Sequence, residues 1–134
     1  QEQDVFFDLL LVLDVIEHLE DYFSFLRDLR PKSHYKLFHI PLEMSVQGVL
    51  RDKVFIRNRD LHGHLHHFTK ETALRTLEDV GYEVLDYSYA PEYEMSTTLR
   101  QTNLMKLPRR LFFALHKDWA VRMLGGFRLL VLAK

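Results

Sequence analysis

Two clusters of side chains in this sequence have the types and spacing for chemistry. In FDLLLVLDVIEHLED, residues 7–21, an unbroken apolar run from Leu9 to Leu13 leads straight into Asp14, Glu17 and His18. Carboxylates and an imidazole grouped so closely can exchange protons or ligate a cation. In HGHLHHF, residues 62–68, His62, His64, His66 and His67 supply further imidazoles. Their spacing alone matches no standard zinc pattern, and neither a Cys nor a His-Glu-x-x-His motif accompanies them. The residues by themselves leave two readings open. Asp14 could cap a turn with Glu17 and His18 in water, while His64 and His67 line a pocket wall or stand exposed before the next helix.

The elements around these clusters decide between a crevice and a surface. Val5 to Leu13 reads as a strand, and its continuous apolar character suits a central strand of a parallel sheet covered on both faces. Residues 20–30 carry Phe23, Leu26 and Leu29 at helical spacing, and Pro31 stops that helix. YKLFHIP, residues 35–41, is a second strand, so the three elements form a βαβ unit with parallel strands. Residues 43–63 have no clean period and read as a loop with a short helix, basic at Arg51, Lys53, Arg57 and Arg59. Thr69 caps a helix whose apolar face is Ala73, Leu74, Leu77 and Val80, with Gly81 at its end. Residues 82–89 and 127–133 read as strands, the last pair antiparallel. Between them residues 98–124 form a helical insert, with one helix starting near Pro108 and another capped by Asp118. The fold class is α/β. Asp14, Glu17 and His18 then lie past the carboxyl end of a strand, where ligands of open α/β sheets bind.

Composition narrows the function classes. The chain has 134 residues, 47% of them hydrophobic, enough for one domain with one core. Lys plus Arg is 18 and Asp plus Glu is 19, so no global field recruits nucleic acid or an anionic membrane. The absence of cysteine excludes disulfides and thiolate metal sites and is compatible with a reducing cytosol, so a cytoplasmic location is the expectation. The insert interleaves Arg100, Lys106, Arg109, Arg110, Lys117 and Arg122 with Leu107, Leu111, Phe112, Phe113, Leu115 and Trp119. That pattern suits a lid, an acceptor-binding element or a surface-seeking helix, and equally a helix pair packed on the sheet with its basic face in water.

Four segments together carry a resemblance. FDLLLVLDVIEHLEDYFSFLRDLRP, HIPLE, GHLHHFTKETALRTLEDVGYEV and AVRMLGGFRLLVLAK, in this order, resemble the fourth, fifth, sixth and seventh strand regions of class I S-adenosylmethionine-dependent methyltransferases. The resemblance implies the C-terminal half of a Rossmann-like methyltransferase sheet, strands 4 to 7, with the last strand antiparallel and a helical insert before it. Two departures stand out. Where the family has Gly-Gly before its fifth strand, this chain has PKSHYK, residues 31–36. None of its five glycines forms the Gly-rich loop that wraps the cofactor's methionine part. Residues 1–134 are therefore expected to be a partial domain lacking the N-terminal cofactor-binding half.

The resemblance implies methyl transfer from S-adenosylmethionine to an unidentified acceptor. Leu13, Asp14, Val15 and His18 would flank the cofactor, and His18, Glu17 and His64 would form the catalytic set. In a metal-dependent subset, which includes small-RNA 2'-O-methyltransferases, the matching Glu17, His18 and His64 would bind a divalent ion. Asp14 stands where that subset has another Glu, and many metal-free relatives share the Asp-Val-Ile-Glu-His motif, so a metal-free site is the expectation. The partner implied is a small-molecule acceptor. Two rivals accompany this reading. One is a non-catalytic half-domain that homodimerises or complements a partner through the sheet edge beside Val5 to Leu13. The other is a metal-dependent hydrolase built on the histidine cluster.

Overall fold

The computed structural model describes residues 5–51, 53–91 and 106–134. Within them β1 (Phe7–Leu13), α1 (Tyr22–Leu29), β2 (Ser33–Leu42), α2 (Val46–Leu50), α3 (Val54–His62), α4 (Lys70–Asp79), β3 (Val84–Pro91), α5 (Lys106–Leu115), α6 (Lys117–Leu124) and β4 (Phe127–Ala133) follow in chain order. The strands form one sheet in the order β1-β2-β4-β3. β1 and β2 are parallel, and β4 runs antiparallel to both β2 and β3. The last strand is antiparallel, as expected, and it lies between β2 and β3 rather than at the edge of the described sheet.

The parallel pair brings Leu13 beside His39, so both strands deliver their following loops to one edge of the sheet. Arg128, opposite Pro41 near the start of antiparallel β4, arrives at the same edge. The site is assembled there. Behind it, Val12, Phe38, Ile40, Leu129 and Val131 share one face of the sheet and are buried under Leu26 of α1, Ala73 and Leu77 of α4, and Ala120 and Val121 of α6. Alternation along β4 separates this face from the other, since Phe127, Leu129, Val131 and Ala133 are buried and the residues between them are not.

That alternation corrects the expectation of a sheet covered on both faces. Leu9, Leu11 and Leu13 are each about half exposed, as is Tyr35 beside Leu9. β1 lies at the edge of the described sheet rather than in its middle. Its apolar run looks like a doubly covered strand because it carries Leu on the uncovered face as well. β1 starts at Phe7 rather than Val5, β2 runs past the expected 35–41 at both ends, and β3 is shifted two residues onward from the expected 82–89.

The irregular stretch 43–63 folds as two helices, α2 and α3, rather than a loop with one. α3 buries none of its residues, which is why no apolar period marks it. It ends where Gly63 takes a left-handed φ of 75° and returns its N–H to the Arg59 carbonyl at 2.9 Å. Thr69 caps α4 as expected, in a reciprocal capping box with Thr72, whereas α1 starts at Tyr22 rather than residue 20, with Asp21 as its cap through the Ser24 amide at 3.1 Å.

The PKSHYK departure has a structural answer. Arg30–Lys32 form a 3-10 turn, and the fully buried Lys36 of β2 donates its Nζ to the Arg30 carbonyl at 2.6 Å and the Ser33 carbonyl at 2.5 Å. The same ammonium lies 5.6 Å from the Tyr82 ring centroid. Burial first, then the Arg30 charge, lowers its pKa.

Residues 98–105 of the expected insert lie outside the described residues, and 106–124 form α5 and α6. His116, not Asp118, is the N-cap of α6. Asp118 is spent elsewhere, accepting from Lys70 Nζ at 2.6 Å and from the Tyr89 hydroxyl. With Arg122 on Glu71 at 2.5 Å, these contacts clasp α6 to α4 and β3. The Lys70 ammonium and then the Tyr89 hydroxyl hold the Asp118 carboxyl below the ordinary aspartate range. A depressed folded-state pKa contributes stability above the unfolded value and loses it as pH falls through the folded one. Asp118→Asn is therefore expected to lower stability at neutral pH and flatten the acid limb below about pH 4. Urea unfolding across pH checks this; parallel acid limbs for the two proteins would refute the clasp.

Candidate active site

The turn after β1 sets the first half of the site. Asp14 has a left-handed φ of 52°, a conformation that Asp tolerates better than most residues. Its N–H continues the sheet to the His39 carbonyl at 3.0 Å. Its carboxylate accepts from Arg128 Nη1 at 2.6 Å and from His39 Nδ1 at 3.0 Å. Asp14 thus ties together the mouths of β1, β2 and β4. Val15 turns towards the core, and Leu13 is half exposed at the strand's end.

A 3-10 turn, Ile16–His18, follows and drives Glu17 inward. Glu17 is fully buried, and neither carboxylate oxygen has a hydrogen-bond partner. Burial foremost raises its pKa. Its own amide N–H opposes this without completing a hydrogen bond, the Asp14 charge adds to the rise, and His18 and His64 counter it. A buried carboxylate without donors is costly unless a cation or a donor meets it.

The second half arrives on the segment after α3. The Glu17 carbonyl accepts from the amides of Leu65 at 2.7 Å and His66 at 3.1 Å, which docks this segment onto the first turn. His18 donates Nδ1–H to the Gly63 carbonyl at 3.2 Å, leaving the lone pair on Nε2, 3.9 Å from Glu17 Oε1. His64 donates Nδ1–H to Glu43 Oε1 at 2.7 Å, which also leaves its lone pair on Nε2. The His18 and His64 rings meet edge to face at 4.9 Å between centroids. Ligand atoms of Glu17, His18 and His64 all lie within 4.8 Å of one another.

The structure therefore brings Glu17, His18 and His64 together and sets Asp14 apart on its own ion pair. His66 is directed elsewhere, with Nε2 on the Leu19 carbonyl at 2.9 Å, and His67 places Nδ1 on Glu43 Oε2 at 2.5 Å. His62 lines a neighbouring cavity beside His64, with ring centroids 5.7 Å apart.

Sequence reading missed Glu43. This carboxylate, just past the end of β2, accepts from His64, His67 and the Asn58 amide at 2.8 Å. It fixes the His64 tautomer from behind, in the manner of a carboxylate orienting a ligand or base histidine. Its position after a parallel strand, matching that of Asp14 after β1, was the available signal. Asn58 gave none, because α3 has no period. The donor set fits a divalent cation, with two lone pairs and a carboxylate converging and outer partners orienting both rings. It fits a general-base site equally, since a neutral His64 backed by Glu43 can take a proton on Nε2.

No protein-family model matches this chain, and no curated protein matches it. Solved structures do. A SAM-dependent methyltransferase from Archaeoglobus fulgidus superposes with a TM-score of 0.53 at 18% identity, over 95% of this chain and 58% of its own. An S-adenosylmethionine-dependent methyltransferase from Mesorhizobium loti gives 0.53 at 16% identity, over 98% of this chain and 62% of its own. The fold is thus that of a class I methyltransferase sheet in part, and the chain spans about three fifths of these neighbours' length.

Proposed function

We propose that this chain belongs to an S-adenosylmethionine-dependent methyltransferase and supplies its acceptor side. The observation that carries the reading is the convergence of buried Glu17 with His18 and His64 at the carboxyl edge of β1, on a fold shared with such enzymes. S-adenosylmethionine supplies an electrophilic methyl group when bound. Leu13, Asp14, Val15 and His18, at the mouth of β1, would flank it. His64 Nε2 accepts a proton from the acceptor O–H or N–H. Glu43 on Nδ1 stabilises the imidazolium that forms, and Glu17 stabilises it from the other side. His18 orients the acceptor. Exclusion of water from Glu17 strengthens each of these terms.

Adding S-adenosylhomocysteine to the isotopically labelled chain tests the cofactor assignment. Amide shifts at Leu13 and Val15 are expected, with a Kd weaker than about 10 μM because the Gly-rich half of the cradle is absent from these residues. Shifts only elsewhere, or none at saturation, would remove the assignment.

In an alternative form of this site His64 Nε2 is a ligand instead of the base, and a divalent ion at Glu17, His18 and His64 is favoured by the two unpartnered Glu17 oxygens. In chelator, Glu17→Gln is expected to melt at or above the parent temperature, because a buried charge is gone. With Mn²⁺ or Zn²⁺ the parent should gain about 2.7 kcal/mol at a hundredfold excess over Kd, and Glu17→Gln and His64→Ala should gain far less. Equal gains in all three proteins would leave no ion at this set.

The half-exposed Leu9, Leu11 and Leu13 on an edge strand favour a second reading, in which β1 pairs with further strands, of this fold or of a second copy. Sedimentation equilibrium should give a mass rising with concentration and returning to monomer in Leu11→Lys. A parent that stays monomeric and unfolds in one cooperative step would argue for a self-sufficient chain.

A further inference from the structure

α2 and α3 stand outside the core, and neither buries a side chain. α2 leaves Val49 65% and Leu50 79% exposed, and Val46 and the preceding Met44 are nearly half exposed. Together with Glu71 of α4 and Arg122 of α6, these aliphatic groups line an open groove of about 540 Å³. α4 and α6 pack on the covered face of the sheet, so the groove opens on the side away from half-exposed Leu9 and Leu11. Aliphatic side chains gathered in water mark a contact surface when polar groups rim them.

The rim here is basic. α3 turns Phe55, Asn58 and His62 to the cavity beside His64 and leaves Lys53, Ile56, Arg57, Arg59 and Leu61 exposed on its outer side. Residues 46–62 hold four Lys and Arg against Asp52 and Asp60, a net charge of +2 in a chain whose own net charge is -1. Among the described residues no acidic side chain pairs with Arg51, Lys53, Arg57 or Arg59. The cations of the neighbouring helices are engaged, Arg122 by Glu71 and Arg109 and Arg110 by contacts of their own. The charge that matters is therefore that of α3 and its approach.

This pairing of aliphatic groups with unpaired cations selects among occupants. A second copy seated here would set like charge against like. A nucleic acid would leave Val49, Leu50, Ile56 and Leu61 in water and find no exposed Phe, Tyr or Trp on either helix, since Phe55 is half-buried against the His67 ring at 4.6 Å between centroids. An anionic bilayer meets both properties, because aliphatic side chains enter the acyl boundary while lipid phosphates meet the cations. Among the described residues no helix is long and apolar enough to cross a membrane, so the contact is with its surface.

We propose that α2 and α3 dock this chain on an anionic lipid surface, with Val49 and Leu50 in the acyl boundary and Arg51, Lys53, Arg57 and Arg59 among the headgroup phosphates. Such contact reads summed charge and apolar area rather than the geometry of any one side chain. The same helices wall the cavity beside His64, so docking brings that cavity to the lipid surface. The proposal does not depend on methyl transfer.

Co-sedimentation of the 134-residue chain with vesicles tests it, using phosphatidylcholine alone and phosphatidylcholine with about 30% phosphatidylglycerol, at low and high salt. Binding is expected to the anionic vesicles only, and to fall as salt rises. Leu50→Glu should weaken it about tenfold, and Arg57→Gln with Arg59→Gln about thirtyfold. These side chains are exposed, so the variants should melt with the parent. Leu11→Gln, on the other face of the sheet, should bind as the parent does. Equal binding to both lipids, binding to neither, or unchanged affinity in Leu50→Glu and the double arginine variant would overturn the proposal. Loss in Leu11→Gln would move the contact to the uncovered face of β1, and capture of polyuridylate without vesicle binding would give α3 to nucleic acid; either would also overturn it.

Discussion

The Glu43 carboxylate is the contact on which the site's geometry turns. It accepts from His64, His67 and Asn58, and so joins the end of β2 to α3 and to the histidine segment beyond it. Hydrogen bonds to an ionised acceptor are roughly twice as strong as neutral ones, and this carboxylate is mostly screened from water. Without it His64 could take either tautomer, and its ring would lose the constraint that keeps Nε2 facing Glu17. The other half of the site is fixed by backbone, through the Glu17 carbonyl and the amides of Leu65 and His66. One half is oriented by charge and the other by peptide geometry, and they meet at a carboxylate that has no donor of its own.

Much of this was legible in the residues. A strand ending in Asp14, Glu17 and His18 forces polar groups to the carboxyl edge of a parallel pair, and the strand–helix–strand order requires that pair. Thr69 and Gly81 announced the bounds of α4 through capping chemistry alone. The joining of Glu17, His18 and His64 was legible only through resemblance, because nothing local in the sequence draws residue 64 to residue 17. What the sequence hid was held by contacts without a period. α3 buries no side chain, so the partners of its Asn58 were invisible. β1 reads as a doubly covered strand because a Leu run is the same whether or not its second face is covered.

PKSHYK shows how a departure from a familiar pattern is absorbed. In place of paired glycines, the chain closes its turn with a 3-10 segment and sends Lys36 back under it to hold two carbonyls. Burying an ammonium is expensive, and the lowered pKa records that cost. Two carbonyl acceptors and the face of Tyr82 offset it, while the Tyr82 hydroxyl reaches the Leu26 carbonyl at 2.7 Å. The α1–β2 connection is thus stitched by polar contacts beneath an apolar layer. It leaves β1 and β2 in the register that sets the height of Asp14 against His39.

Gly63 serves both sides of the site through a single residue. Its N–H closes α3 and its carbonyl orients His18, forty-five positions earlier in the chain. The left-handed bend there disfavours any side chain. In an evolving lineage the exposed positions of α3 have latitude to change composition, since α3 contributes nothing to the core, while Asn58 is held by its bond to Glu43. The five residues from Gly63 to His67 have almost none. Drift in this chain is accordingly expected to pile up on the exposed face of α3 and to stop abruptly at that bend.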